Sequence, residues 1–311
     1  MATTTSDISL SALSPATGSA GLRGVIASEF TKLRSVRSTY WTIASLIIVS
    51  VGISAIVGFG TASQLNHNPW NKAGQDSTQD SLIAFFELGQ LIIAVLGAMV
   101  ITTEYSTGMI RTSLTAMPRR GTVYLAKLIV FTSVTLVVSV VTSFLAFLVF
   151  QAALSGTGTG ASLFHSITIP ANVIFTGNQN SGPGPGSYTF QGTDVISSGT
   201  VLTAVIGTAL FVTMVALIAF GLGAIIRHTA GAITSTIGLM FILSIIIQIL
   251  PQTWRWDLMR FFPDAAGRVI SVTVGQGNDH LWSAWPQMLV TLVWAAALVG
   301  VGAYLFRKRD A

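Results

Sequence analysis

The sequence predicts an all-α polytopic membrane protein: six transmembrane helices, an N-terminal amphipathic interface helix, and both ends on the cytoplasmic side. Three observations predict it. Of 311 residues, 51% are hydrophobic and only 9% are charged, against about 25% charged in soluble domains. Six stretches stay apolar over the roughly 20 residues that a span requires. The Lys and Arg residues between them gather on one side.

Residues 1–21 are rich in Ser, Thr, Ala and Gly. They lack the basic start and apolar run of a secretory signal, so they read as a disordered cytoplasmic tail. The first apolar segment then acts as an uncleaved anchor.

Residues 22–40 carry apolar side chains at Leu22, Val25, Ile26, Phe30, Leu33, Val36 and Tyr40. Intervals of three and four place them on one helical face. Arg23, Glu29, Lys32, Arg34 and Arg37 occupy the others. Such a helix lies in the inner interface with its basic face toward anionic headgroups. It is either a positive-inside anchor or a rigid brace for the first span, and the pattern leaves both open.

The spans are expected at 41–61, 81–103, 123–154, 200–226, 231–250 and 284–306. The third exceeds the bilayer thickness and must tilt or project. Only Arg227, His228 and Thr229 separate the fourth from the fifth, which reads as a tight cytoplasmic turn. With the N-terminus inside, only Lys72, Arg255, Arg260 and Arg268 of the 16 basic residues fall outside. The positive-inside rule favours that orientation, and the basic tail 307–311 agrees.

Three outer segments follow from this topology. Residues 62–80 form a polar loop. Residues 155–199 are rich in Gly, Ser, Thr and Pro, a composition that buries no core and predicts mobility. Residues 251–283 interleave Trp254, Trp256, Phe261 and Phe262 with Arg255, Asp257, Arg260, Asp264 and Arg268. That mixture predicts short amphipathic helices at the outer interface.

The cytoplasmic loop 104–120 is expected to hold a short helix over 107–117, ended by Pro118. Met109, Ile110, Leu114 and Met117 would offer an adaptable apolar face, and Arg111, Arg119 and Arg120 polar specificity. A solvated basic loop that only fixes topology is the alternative.

Two motifs carry a resemblance. Ser28-Glu29-Phe30-Thr31-Lys32-Leu33-Arg34-Ser35-Val36-Arg37-Ser38-Thr39 resembles the start of bacterial ATP-binding-cassette (ABC) permeases of the type-2 exporter family. Glu104-Tyr105-Ser106-Thr107-Gly108-Met109-Ile110-Arg111, followed by Met117-Pro118-Arg119-Arg120, resembles the same family at the same place in the topology. The resemblance implies a plasma-membrane permease that pairs with a second copy or paralogue and binds two cytoplasmic ATPase subunits. It implies that 22–40 is the elbow helix, with Phe30, Lys32, Leu33, Arg34 and Arg37 at the interface. It further implies that 104–120 is the coupling loop that docks in the ATPase. The long Gly/Pro-rich loop departs from the compact outer loops of the family.

No GxxxxGK[ST] motif is present, and that motif is what cradles nucleotide phosphates. The chain is therefore expected to bind no cofactor itself, leaving ATP and Mg to the partner ATPase. HExxH, GxSxG and EF-hand patterns are also missing. The four histidines are scattered, so no metal site is expected, and no nucleic-acid partner is expected. Glu87 is the ionisable residue inside a span, with Gln90 at i+3 on the same face. The pair marks a substrate path or a dimer interface, unless Glu87 simply reaches the outer interface. Gln248 is read in the same way.

The expected function is a non-enzymatic permease exporting a hydrophobic or amphipathic cargo (drug, lipid or peptide) by alternating access. The alternatives are an ion-coupled secondary transporter using Glu87 and a membrane scaffold with an outer binding loop.

Overall fold

The computed structural model describes residues 21–67, 76–110, 115, 119–157, 198–273 and 281–308, together with four three-residue strands between 167 and 196. The predicted tail, Lys72, Arg111, Leu114, Met117, Pro118 and the last three residues lie outside the described residues.

Six helices are long and apolar enough to cross a membrane. They are α2 (Arg37–His67), α3 (Ser77–Ser106), α4 (Arg120–Leu154), α5 (Ser198–Ile226), α6 (Thr229–Ile249) and α9 (Ala284–Lys308). Helix α1 (Leu22–Ser35) precedes them. Two short helices, α7 (Gln252–Met259) and α8 (Asp264–Ile270), lie between α6 and α9. The even span number returns the chain to its starting side, here called the terminal face. Single π-helical turns interrupt α3 at Phe85–Gly89 and α6 at Gly238–Ile242.

Boundaries differ from expectation for local reasons. The interface helix ends at Ser35, not 40, because Val36 adopts an extended conformation (φ −83°, ψ 115°). The first-span helix therefore starts at Arg37. The second starts at Ser77 because the Asp76 carboxylate caps it, accepting the Gln79 N–H at 3.0 Å. That cap satisfies one of the open donors of the first turn.

Helix α5 is the centre of the bundle and packs on α3, α4, α8 and α9. Two thirds of its apolar window is buried, against 22% for α2 and α9. Lipid is as apolar as Leu, so close packing and not water exclusion must hold such helices together. A Cβ on Gly97 of α3 would collide with the Ala216 carbonyl oxygen. A Cβ on Gly221 would lie 2.7 Å from the Leu298 carbonyl carbon of α9. Hydroxyls inside the spans donate locally, as Thr102 does to Ala98 O and Thr208 to Ala204 O. Others cross between helices: Ser54 donates to Ser81 O, Ser143 to Val205 O and Tyr124 to Val299 O. Each satisfies a polar group that lipid would leave unpaired.

The segment between α6 and α9 corrects an expectation. Helix α7 leaves Trp254 and Leu258 exposed. Helix α8 instead turns inward: Asp264, Ala265, Ala266, Gly267 and Ile270 are buried. It plugs the face opposite the termini, with Gly267 against Phe86 and Phe211. The α7–α8 turn is pinned by α9. Gln287 donates to Arg260 O at 2.8 Å, Thr291 to Pro263 O at 3.1 Å and Trp294 to Phe261 O at 2.9 Å.

Four short strands are described within the 155–199 segment. Strand β1 (Ile167–Ile169) pairs antiparallel with β4 (Asp194–Ile196), and β2 (Ile174–Thr176) with β3 (Ser187–Thr189). The registers Ile167↔Ile196 and Ile174↔Thr189 nest the second pair within the first.

Candidate functional site at the terminal face

Four charges from three elements meet at the terminal face. Glu29 belongs to α1, Lys32 sits one turn later, Glu104 ends α3, and Lys127 lies two turns into α4. The Lys127 Nζ donates to Glu29 Oε2 at 2.5 Å and to Glu104 Oε1 at 2.7 Å. Lys32 Nζ donates to Glu29 Oε1 at 2.7 Å and stands 3.5 Å from Glu104 Oε1. The side chains of Glu29, Lys127 and Glu104 are 4%, 5% and 9% exposed, so three of the four charges have left solvent. Two carboxylates and two ammoniums sum to zero, which is what lets the group be buried.

Burial works to raise the Glu29 pKa, but the adjacent Lys127 and Lys32 outweigh it and hold the carboxyl below its ordinary 4.5. Burial likewise works to lower the Lys32 pKa, and Glu29 and Glu104 outweigh it, raising the ammonium above its ordinary 10.5. The signs define a window. The Glu29 contribution is fully present above pH 4.5 and is lost as pH falls through its lowered value. The Lys32 contribution is fully present below pH 10.5 and is lost as pH rises through its raised value. We expect α1 to stay docked across that window and to detach on the acid side. A spin label or fluorophore on α1, followed through a pH titration, measures it. Detachment near neutral pH would contradict this account.

The residue after Glu104 faces the other half of the bundle. The Arg227 guanidinium stacks over the Tyr105 ring, 4.7 Å from its centroid. Arg227 sits in the α5–α6 turn with φ 60°, a left-handed conformation that costs a non-glycine residue energy. One turn away, Thr229 donates to Thr102 Oγ1 at 2.8 Å. Glu104 is thus tied to α1 and α4 while Tyr105 is tied to the α5–α6 turn. The helix stops just beyond, where Gly108 takes φ 71°. That conformation suits glycine because it lacks a Cβ.

The predicted site residues divide accordingly. Glu104, Tyr105 and Lys32 converge here, and Leu33 packs against the core. Phe30 does not: it is 50% exposed, as are Leu22, Val36 and Tyr40 to similar degrees. Most of the apolar face therefore points away from the bundle, and Glu29, placed on another face, points in. Lys32, predicted to face headgroups, is turned inward, whereas Arg34 and Arg37 are exposed. Met109 is exposed, whereas Ile110 is buried in the core. Arg119 precedes α4 without a side-chain cap hydrogen bond, and Arg120 opens the helix. Sequence reasoning missed the roles of Glu29 and Lys127. The available signal was three oppositely charged residues at the ends of apolar segments, all on the predicted inner side.

A second polar cluster lies at the opposite face. Glu87, inside the π-helical turn of α3, stands 3.4 Å from Arg268 Nη1, and Arg268 Nε donates to Asp264 Oδ2 at 3.2 Å. Gln90 is buried beside Asp264, as is Ser244 of α6. Burial pushes the Asp264 carboxyl above its ordinary range despite Arg268. The predicted pair therefore converges on one cluster, though Glu87 is half-buried and Gln90 fully so. Gln248 is exposed. Among the described residues, no three His, Asp or Glu side chains gather as a metal site.

Residues 25–176 match the family model described as ABC-2 family transporter protein. The match takes in α1 from Val25 onward and the first three spans, and so the whole four-charge cluster. No curated protein matches the chain. With that match over residues 25–176 and six helices long and apolar enough to cross a membrane, the chain is similar to ABC-2 family transporter proteins and has the make-up of a multi-pass permease subunit.

Proposed function

We propose that this permease exports a hydrophobic or amphipathic cargo, driven by ATP hydrolysed on two copies of a cytoplasmic ATPase, and that two permease chains pair across the plasma membrane. In this reading the terminal face is cytoplasmic. The observation that carries it is the Glu104–Tyr105 junction. The chain entering the 104–120 loop is fastened to the first half of the bundle through Lys127 and to the second half through Arg227. A push on that loop therefore reaches both halves, which is what a coupling element must do. ATP has to favour the outward state by several kcal/mol to invert the populations. The basic side chains crowding this face support its cytoplasmic placement. The cargo class rests on the apolar character of the spans.

The test is to co-express the tagged permease with its neighbouring genes, identify what co-purifies in mild detergent, and measure ATP hydrolysis in the complex. The reading requires a stoichiometric ATPase, and an ATPase-free, folded dimer would sink it. Gly108→Val refines the test. A β-branched residue is strained at φ 71°, so the loop leaves α3 at a different angle. Insertion and thermal stability should change little while ATP-dependent transport falls at least ten-fold. Unchanged transport would remove Gly108 from the coupling path.

A further inference from the structure

Between α1, the start of α2 and the terminal-face ends of α3 and α4 lies a cleft of about 240 Å³. One side is apolar: Leu33, Val36, Leu96, Met99, Val100 and Val130. The other side is the four-charge cluster of Glu29, Lys32, Glu104 and Lys127. The volume suits a head group with the start of a chain, since a single water takes only about 30 Å³.

The lining restricts the ligand. An anion placed against the charged side meets Glu29 and Glu104; a cation meets Lys32 and Lys127. Because the charges alternate and sum to zero, a group carrying both signs fits where neither ion does. The apolar side adds a requirement for hydrocarbon. The cleft opens at the α1–α2 joint, where Val36 is exposed and Lys32 is 32% exposed. An interface helix puts that joint at the level of the lipid head groups.

We infer that this cleft binds the head-group end of a zwitterionic phospholipid, its ammonium toward Glu104 and its phosphate toward Lys32, with the chain along Met99 and Val100. The inference stands apart from ATPase coupling, because it needs only the permease chain. Met109 and Thr107 also line the cleft, so an occupant touches the first residues of the 104–120 loop.

The experiment uses the full-length permease reconstituted in nanodiscs of equal phosphatidylethanolamine, phosphatidylcholine and phosphatidylglycerol. The protein is then extracted in detergent, and its retained lipid is measured by native mass spectrometry. Met99→Trp and Val36→Trp fill the apolar side of the cleft, one from α3 and one from the α1–α2 joint, without replacing any of the charges. We expect the wild type to retain the two zwitterionic lipids over phosphatidylglycerol. Both variants should lose that enrichment at least five-fold while keeping the wild-type elution profile. Added phosphatidylethanolamine should raise the melting temperature of the wild type and not of the variants. Preferential retention of phosphatidylglycerol would overturn the charge argument. Equal retention by wild type and both variants would mean bulk annular lipid and overturn the site. Should one variant misfold, the other decides alone.

Discussion

Replacing Lys127 by Met is expected to destabilise the protein by about 3–5 kcal/mol, the usual cost of leaving buried charge uncompensated. Lys127 is the fully buried ammonium of the cluster, bonded to Glu29 and to Glu104. Without it two carboxylates face each other, and Lys32, one third exposed, screens them only partly. Removing all three charges should recover most of the loss, since a buried ion pair is often no better than an apolar replacement of the same shape. The triple variant is Glu29→Gln, Glu104→Gln, Lys127→Met. The single and triple variants are compared by denaturant unfolding in detergent. A second readout separates local from global change. The chain contains no cysteine, so a Val25→Cys label reports on α1 alone. Val25 is buried under α1. It should become maleimide-reactive in Lys127→Met and stay protected in the triple variant. Continued protection in the single variant would show that α1 is held by its apolar contacts and not by the charges.

Gly97→Ala should cost about 1–3 kcal/mol, while Gly60→Ala should be neutral or stabilising by up to about 1 kcal/mol. Both glycines lie inside helices. At Gly60 a Cβ meets open space, so only helix propensity changes. At Gly97 it meets the backbone oxygen of Ala216 and the Phe220 nitrogen, neither of which can rotate away. Helix α3 must then move off α5. Because α3 ends in Glu104 and Tyr105, and α5 ends beside Arg227, this displacement also strains the junction at the terminal face. Melting temperatures of the two variants test the packing. A Gly97→Ala variant as stable as Gly60→Ala would mean that α3 and α5 are not in the contact described.

Much of the architecture was legible because the relevant signals are local. A run of about 20 apolar residues specifies a span whatever its neighbours do, so six spans emerged with boundaries mostly within four residues. Asp76 at the start of α3 and Val36 at the α1–α2 joint moved boundaries through single-residue geometry that hydropathy averages away. Glu104, Tyr105 and Gly108 were singled out by their motif, and the fold gives each a distinct position.

Helix α1 marks where the sequence stopped. Its apolar period was read correctly, yet Phe30 and Val36 point outward while Glu29 points in. In water an apolar stripe identifies the buried face; at a membrane it satisfies lipid and protein equally. What selected the inward face was a counter-charge, Lys127, 98 residues away in the chain. Asp264 repeats the lesson, since its burial depends on Arg268 and on α8 entering the bundle. The sequence by itself determined how many helices cross the membrane and where the charges lie along the chain. Only the tertiary structure decided which charges meet, because opposite charges in a low-dielectric interior select one another by distance and not by sequence separation.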